Sequence, residues 1–131
     1  MSSGLLDTSV LIQLDNSEIM DLLPDQIAIC AISLAELAAG PHCTSDSNER
    51  ARRQMVLQII ESNFEPLRFD SEAARSYGLI IASVVSIGRS HRSRIADLLI
   101  ASVAHANNLD LYTCNPSDFK GISKLVNIFA V

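Results

Sequence analysis

The chain alternates short apolar runs with longer stretches whose apolar positions recur at helical spacing. Gly4 to Asp7 reads as a short buried strand that ends in an acid, and the Thr8-Ser9 step after it reads as a tight turn into a helix. Asp15 to Asp25 is polar and interrupted by Pro24, so it reads as a helix fragment and a loop. Ile27 to Ile32, IAICAI, is an apolar run of strand length. Ser33-Leu34-Ala35-Glu36 follows it in the pattern of a capping box, with Ser33 capping a helix and Glu36 reaching back to it. Gly40-Pro41 ends that helix, and His42 to Asn48 is a polar loop.

From Glu49 to Glu61, Met55, Leu57, Ile59 and Ile60 form an apolar side and the arginines a wet one, which predicts a helix. Pro66 to Phe69 reads as an edge strand, where proline is tolerated. Asp70 or Ser71 then caps a helix over 72–87, with Ala73, Tyr77, Ile80, Ile81 and Val84 at helical spacing, and Gly88 stops it. RSHRS, residues 89–93, is a basic loop. The block RIADLLIASVAHANNLDLYTCNPSDF, residues 94–119, is a largely buried helix broken at Asn107-Asn108, then a strand over Leu109 to Thr113, then a turn or one-turn helix carrying Asp118. Leu125 to Phe129 closes the chain as a last strand. Strands near 4–7, 27–32, 66–69, 109–113 and 125–129 alternate with helices. The reading is an α/β fold, a mostly parallel sheet of about five short strands with helices on both faces, built as one domain over 1–131.

With 48% hydrophobic and 19% charged residues, the chain can bury a core and is too apolar for a disordered tail. No apolar run reaches spanning length, and MSSGLLDTS lacks the basic and apolar regions of a signal peptide, which points to the cytosol and to no membrane partner. Cys30, Cys43 and Cys114 form no CxxC pair, and His42, His91 and His105 show no HExxH spacing. Disulfide frameworks and zinc sites built from nitrogen and sulfur are therefore not indicated. The net charge of −5 is unevenly spread: Arg50, Arg52 and Arg53 cluster, as do Arg89, His91, Arg92 and Arg94. Acids in a pocket beside basic patches suit a metal site that handles a polyanion, although two solvated charge patches would look the same.

Ligands of an open α/β sheet bind beyond the C-terminal ends of its strands. Asp7 ends the first predicted strand, Glu36 lies just beyond the second, and Asp118 beyond the fourth, beside Thr113 and Asn115. Asp97 starts a helix that need not begin at the same edge. Each acid has a local explanation: the helix dipole for Asp97, the capping box for Glu36, a turn for Asp118. If they converge, they stay ionised together only beside a cation, and oxygen ligands suit Mg²⁺ or Mn²⁺. The chemistry then implied is metal-assisted phosphodiester hydrolysis.

Three segments carry a family likeness: LLDTSVLI, ISLAELAAG and the block IADLLIASVAHANNLDLYTCNPSDF. In their order and spacing the chain resembles a PIN-domain ribonuclease of the VapC toxin type, over nearly its whole length. That resemblance implies a three-layer α/β/α fold and an Mg²⁺-dependent endoribonuclease that acts as a toxin. It puts the family's acids on Asp7, Glu36, Asp97 and Asp118, with Asp7 and Asp97 as direct ligands and the other two acting through water or on a second ion. Thr8 or Ser9 and Thr113 would supply hydroxyls behind the ligands or toward substrate, and Asn115 would orient Asp118. The implied partners are an RNA substrate, a second copy in a homodimer, and a VapB-like antitoxin that blocks the acidic groove. Cys114 stands where the family often has a basic residue, so Arg92 and Arg94 of the nearby loop are the expected substitutes for that phosphate contact.

Two further enzyme classes fit less of the chain. A phosphatase with an aspartyl nucleophile at Asp7 wants a second acid where Ser9 stands, and a receiver-type phosphoacceptor wants paired N-terminal acids and a late-strand lysine. The non-enzyme alternative is a PIN-fold RNA- or protein-binding module without catalysis. The presence of all four acids counts against it.

Overall fold

The computed structural model describes residues 2–131. Four parallel strands, β1 (Ser3–Leu6), β2 (Gln26–Ala28), β3 (Asp110–Thr113) and β4 (Ile128–Ala130), form a sheet in the order β2-β1-β3-β4. The connections from β1 run outward in opposite directions, so strand order reverses between β1 and β3. That is the place where an α/β sheet opens a crevice at its C-terminal edge.

Period-two alternation sorts the strand side chains onto two faces. Leu5 and Leu111 pack with α5 (Ser71–Ser86) and α6 (Ile95–Ala106), through Ala73, Ile80, Val84, Leu98 and Ala101. Leu6 and Tyr112 face the other way, onto α1 (Thr8–Leu11), α3 (Ala31–Ala39) and α4 (Ser47–Asn63), through Val10, Leu37, Leu57 and Ile60. A one-turn helix α2 (Ser17–Met20) adds Ile19 to that second cluster. The result is the expected three-layer α/β/α arrangement. Asp70 caps α5 by accepting from the Ala73 N–H, and Asn108 takes the left-handed conformation (φ 56°) that ends α6.

Three expectations need correction. The sheet has four strands; the expected strand over 66–69 is reduced to one bridge, in which Leu67 N–H donates to Ile29 and Ala31 N–H to Leu67. Pairing stops there because the chain turns helical at Ala31, five residues into the run IAICAI. This also removes the capping box: Cys30 is the N-cap residue of α3, and Ser33 is buried inside the helix with no capping bond. The last strand lies later than 125–129, because Leu125 and Val126 donate back to Ile122 in a turn before it.

Candidate active site

Asp7 is the most constrained acid. It caps α1 at the end of β1 and is almost fully buried. Its Oδ1 accepts from Thr8 N–H at 2.8 Å. Its Oδ2 accepts from Thr113 Oγ1 at 2.8 Å and from Ser9 Oγ at 2.9 Å. A buried carboxylate held by three donors is fixed in orientation. Thr113 closes the arrangement by accepting from Asn115 N–H, and Asn115 C=O in turn accepts from Asp118 N–H at 3.1 Å. Residues 113–118 are thereby folded into a short 3₁₀ turn, Pro116–Phe119, that brings Asp118 to the sheet edge. Arg89 steadies the same turn by donating to Ser117 C=O at 2.9 Å.

Glu36 reaches the site from α3. Freed from any capping role, its Oε1 accepts from Thr8 Oγ1 at 2.6 Å, and Thr8 Oγ1 also lies 3.1 Å from Ser33 Oγ. Ser33 is thus a buried support of the site that the sequence reading cast as a cap. The apolar run before it gave no sign that the helix had already begun.

Asp97 joins them. A helix that crosses between parallel strands runs against the strands, so α6 starts at their C-terminal edge. The Asp97 carboxyl is half-buried and has no hydrogen-bond donor among the described residues. It is raised from its ordinary 3.8 to about 6, first by burial, then by the charges of Asp7, Asp118 and Glu36, against a smaller opposing effect of Arg94. All four acids therefore act on one region, including the one whose edge the sequence left open.

Two cationic residues expected at the rim behave differently. Arg92 is exposed on the 3₁₀ turn Arg92–Arg94, whereas Arg94 Nε stands 3.8 Å from Asp118 Oδ1. Cys114 turns toward α1: its N–H donates to Ser9 Oγ, and its thiol lies 3.6 Å from Ser9 C=O and 3.7 Å from Gln13 Nε2.

The donor set fits a hard divalent cation, since it is all oxygen and Asp97 has neither a hydrogen-bond donor nor a cation in ion-pair range among the described residues. No three His, Cys, Asp or Glu side chains among the described residues form a ready-made cage. The charges of Asp7, Asp118 and Glu36 all act on Asp97, and an ion held there would bring the carboxylates closer together. Beside it, a cleft of about 230 Å³ lined by Thr8, Glu36, Arg52 and Arg53 continues past Ile12 and Val56 into a mainly apolar groove of about 400 Å³ between α1 and α4. Among the described residues no helix is long and apolar enough to cross a membrane.

The family model described as PIN domain matches residues 4–125. Ribonuclease VapC5 of Mycobacterium tuberculosis is 33% identical over 129 residues, spanning 97% of this chain and 93% of that protein. Ribonuclease VapC of Rickettsia bellii is 33% identical over 128 residues, spanning 92% and 91%. A chain of the solved VapBC-5 structure from M. tuberculosis, a member of the VapBC family of toxin–antitoxin systems, matches with a TM-score of 0.81, 33% identity and full coverage of both chains. A chain of VapBC2 from Rickettsia felis, solved with a DNA fragment from its promoter, matches with a TM-score of 0.72 and 27% identity over 98% of this chain and 97% of that one.

Proposed function

The chain belongs to the PIN-domain family, and from that premise we propose that it is an Mg²⁺-dependent endoribonuclease, the toxin of a toxin–antitoxin pair, built as one PIN domain over 1–131. The observation that carries this reading is the convergence of Asp7, Glu36 and Asp118 on Asp97, whose carboxyl is pushed up to about 6. Such a cluster is unfavourable unless a cation compensates it. The relatives named as VapC ribonucleases support the choice of RNA over other phosphodiesters.

Asp7 and Asp97 are the residues that would hold Mg²⁺ or Mn²⁺ directly, with Glu36 and Asp118 acting through water or on a second ion. Bound there, the cation supplies the Lewis acidity that polarises a phosphodiester and lowers the pKa of a bound water. Thr113, Ser9 and the Thr8 N–H hold the Asp7 carboxylate in one orientation, which limits the reorganisation needed when substrate arrives. Thr8 does the same for Glu36. Asn115 positions Asp118 through its backbone carbonyl. Arg92 and Arg94, on the rim, contact the phosphates of the RNA strand and take over from the basic residue that Cys114 replaces.

The apolar groove between α1 and α4 suits an apolar segment of an antitoxin, which from there reaches the acids past Arg52 and Thr8. VapBC assemblies among the matching structures support a VapB-like partner. A homodimer and a cytoplasmic site of action complete the proposal.

The test uses partner-free protein, shown to be folded, on total cellular RNA. Discrete fragments that form with Mg²⁺, vanish with EDTA and vanish with Asp7→Asn support the nuclease. Cleavage and growth arrest unchanged by Asp7→Asn would instead favour a binding module that keeps the fold without the chemistry.

A further inference from the structure

We propose that Arg94 is an exchangeable counter-ion built into the acid cluster: it pairs with Asp118 while no divalent cation is present, and turns to the RNA phosphate when a cation enters. The inference rests on the metal-site reading above and concerns how metal and RNA binding are coupled.

Arg94 is the N-cap residue of α6 and makes no capping bond there. Asp97 follows one turn later, and Asp118 faces Arg94 from the 3₁₀ turn after β3. Arg94 Nε is 3.8 Å from Asp118 Oδ1, inside ion-pair range and outside hydrogen-bond range. The same Nε is buried and has no hydrogen-bond partner among the described residues. Nη1 makes one long contact, 3.4 Å to Ser93 Oγ. A guanidinium normally spends its planar fork on two acceptor oxygens. Here attraction to the acids holds the group in place, and its directional donors stay largely unused.

Arg92 is exposed and makes no side-chain hydrogen bond among the described residues, but the four other arginines of the two basic clusters show what a fixed guanidinium looks like in this fold. Arg50 donates to Pro41 C=O and Thr44 C=O, Arg52 and Arg53 hold Glu49, Arg53 also holds Gly40 C=O, and Arg89 holds Ser117 C=O. Their acceptors lie at 3.2 Å or less. Arg94 differs both in its missing acceptor and in its position: among the described residues it is the cation that acts on Asp97 against the three carboxylates. A buried donor without a partner needs a reason, and a donor kept for a second partner supplies one.

The exchange follows from charge and length. A dication drawn to Asp7 and Asp97 repels a neighbouring guanidinium, and Asp118 is then better neutralised by the dication than by Arg94. The side chain is about one third exposed, so its long stem can swing outward without moving the backbone. A phosphate of the bound strand offers two oxygens that the freed fork can reach at hydrogen-bond distance, closer than the 3.8 Å at which Asp118 Oδ1 stands. Metal and RNA binding then reinforce each other, because each removes an obstacle to the other.

The test is a calorimetric titration with Mn²⁺, without RNA, of the wild type, Arg94→Gln, Arg94→Lys and Arg92→Gln. Arg94→Gln should bind Mn²⁺ about threefold to tenfold more tightly, the scale of one partly exposed ion pair removed from competition. Arg94→Met, which keeps an unbranched stem and deletes the charge, should do the same. This makes the result independent of one variant's folding. Arg94→Lys and Arg92→Gln should stay near wild type. Repeating the titration with an RNA oligonucleotide protected by 2′-deoxy substitution should tighten Mn²⁺ binding severalfold in the wild type and clearly less in Arg94→Gln. Unchanged or weaker Mn²⁺ binding by both charge-deleting variants overturns the counter-ion role while leaving the metal site standing. A wild type that binds no Mn²⁺ overturns the metal-site reading, and the counter-ion role falls with it.

Discussion

Removing the Asp97 charge should make the metal-free protein more stable while abolishing its activity. Asp97 is raised from 3.8 to about 6 in the folded chain. Folding therefore favours its protonated form. The penalty for ionised Asp97 is absent below about pH 4, grows as pH rises, and is complete above about pH 6. A shift of this size corresponds to about 3 kcal/mol at 1.36 kcal/mol per unit. The group is half-buried, so solvent screening reduces that to about 1–2 kcal/mol. Asp97→Asn loses no hydrogen bond to the described residues, and asparagine fits the same space. The variant should gain about 1–2 kcal/mol at pH 8 in EDTA, roughly 4–8 °C in Tm for a domain of this size. At pH 4 the gain should vanish. Urea unfolding at pH 8, 6 and 4, in EDTA and in Mg²⁺, reads all of this. In Mg²⁺ the wild type should recover most or all of the difference, since a bound cation stabilises only the chain that binds it. An Asn variant less stable than wild type at pH 8 in EDTA would refute the account of a strained acid cluster.

Metal affinity should fall as pH drops below about 6, because a proton competes for Asp97; Mn²⁺ titrations of the wild type from pH 5 to 8 check it, and an affinity that stays constant over that range would contradict it. Thr113→Val deletes the hydroxyl that donates to buried Asp7 and accepts from Asn115, and should cost about 1.5–3 kcal/mol in denaturant unfolding, with Thr113→Ser costing less. Gly4→Ala would place a Cβ 2.5 Å from Tyr112 Cε1, in a ring already stacked on Phe129, and should destabilise by about 1–3 kcal/mol in the same assay. Gly78→Ala, on the exposed side of α5 with open space around it, should instead stabilise by about 0.5–1 kcal/mol.

The layers and the acids were legible in the sequence because both rest on simple regularities. Apolar strands alternate with helices of clear period, and Asp7, Asp97 and Asp118 fall at or near an element's end, where dipeptides such as Asp7-Thr8 and Asn115-Pro116 mark the change. The edge at which Asp97 lies follows from the direction of a crossover helix, which runs against the strands it joins. The start of α3 was not legible. IAICAI has the length of a strand and no polar position, so periodicity cannot tell where strand gives way to helix. Tertiary packing decides it, through the two bonds between Leu67 and the Ile29–Ala31 backbone. The same ambiguity hid Ser33, which reads as a cap and acts as a buried neighbour of Thr8. The loose seating of Arg94 depends on where Asp118 lands in three dimensions, and no local pattern carries that.

We propose that the four acids form one cation-dependent site for cutting RNA. Its most direct test is cleavage of a defined RNA across a Mg²⁺ titration, by wild type and by Asp97→Asn from the same preparation, with the melting curve of each recorded. The wild type should show a saturable Mg²⁺ dependence, and the variant should melt higher in EDTA and show background cleavage at every Mg²⁺ concentration. Cleavage that survives EDTA, or an Asp97→Asn protein as active as wild type, would contradict it.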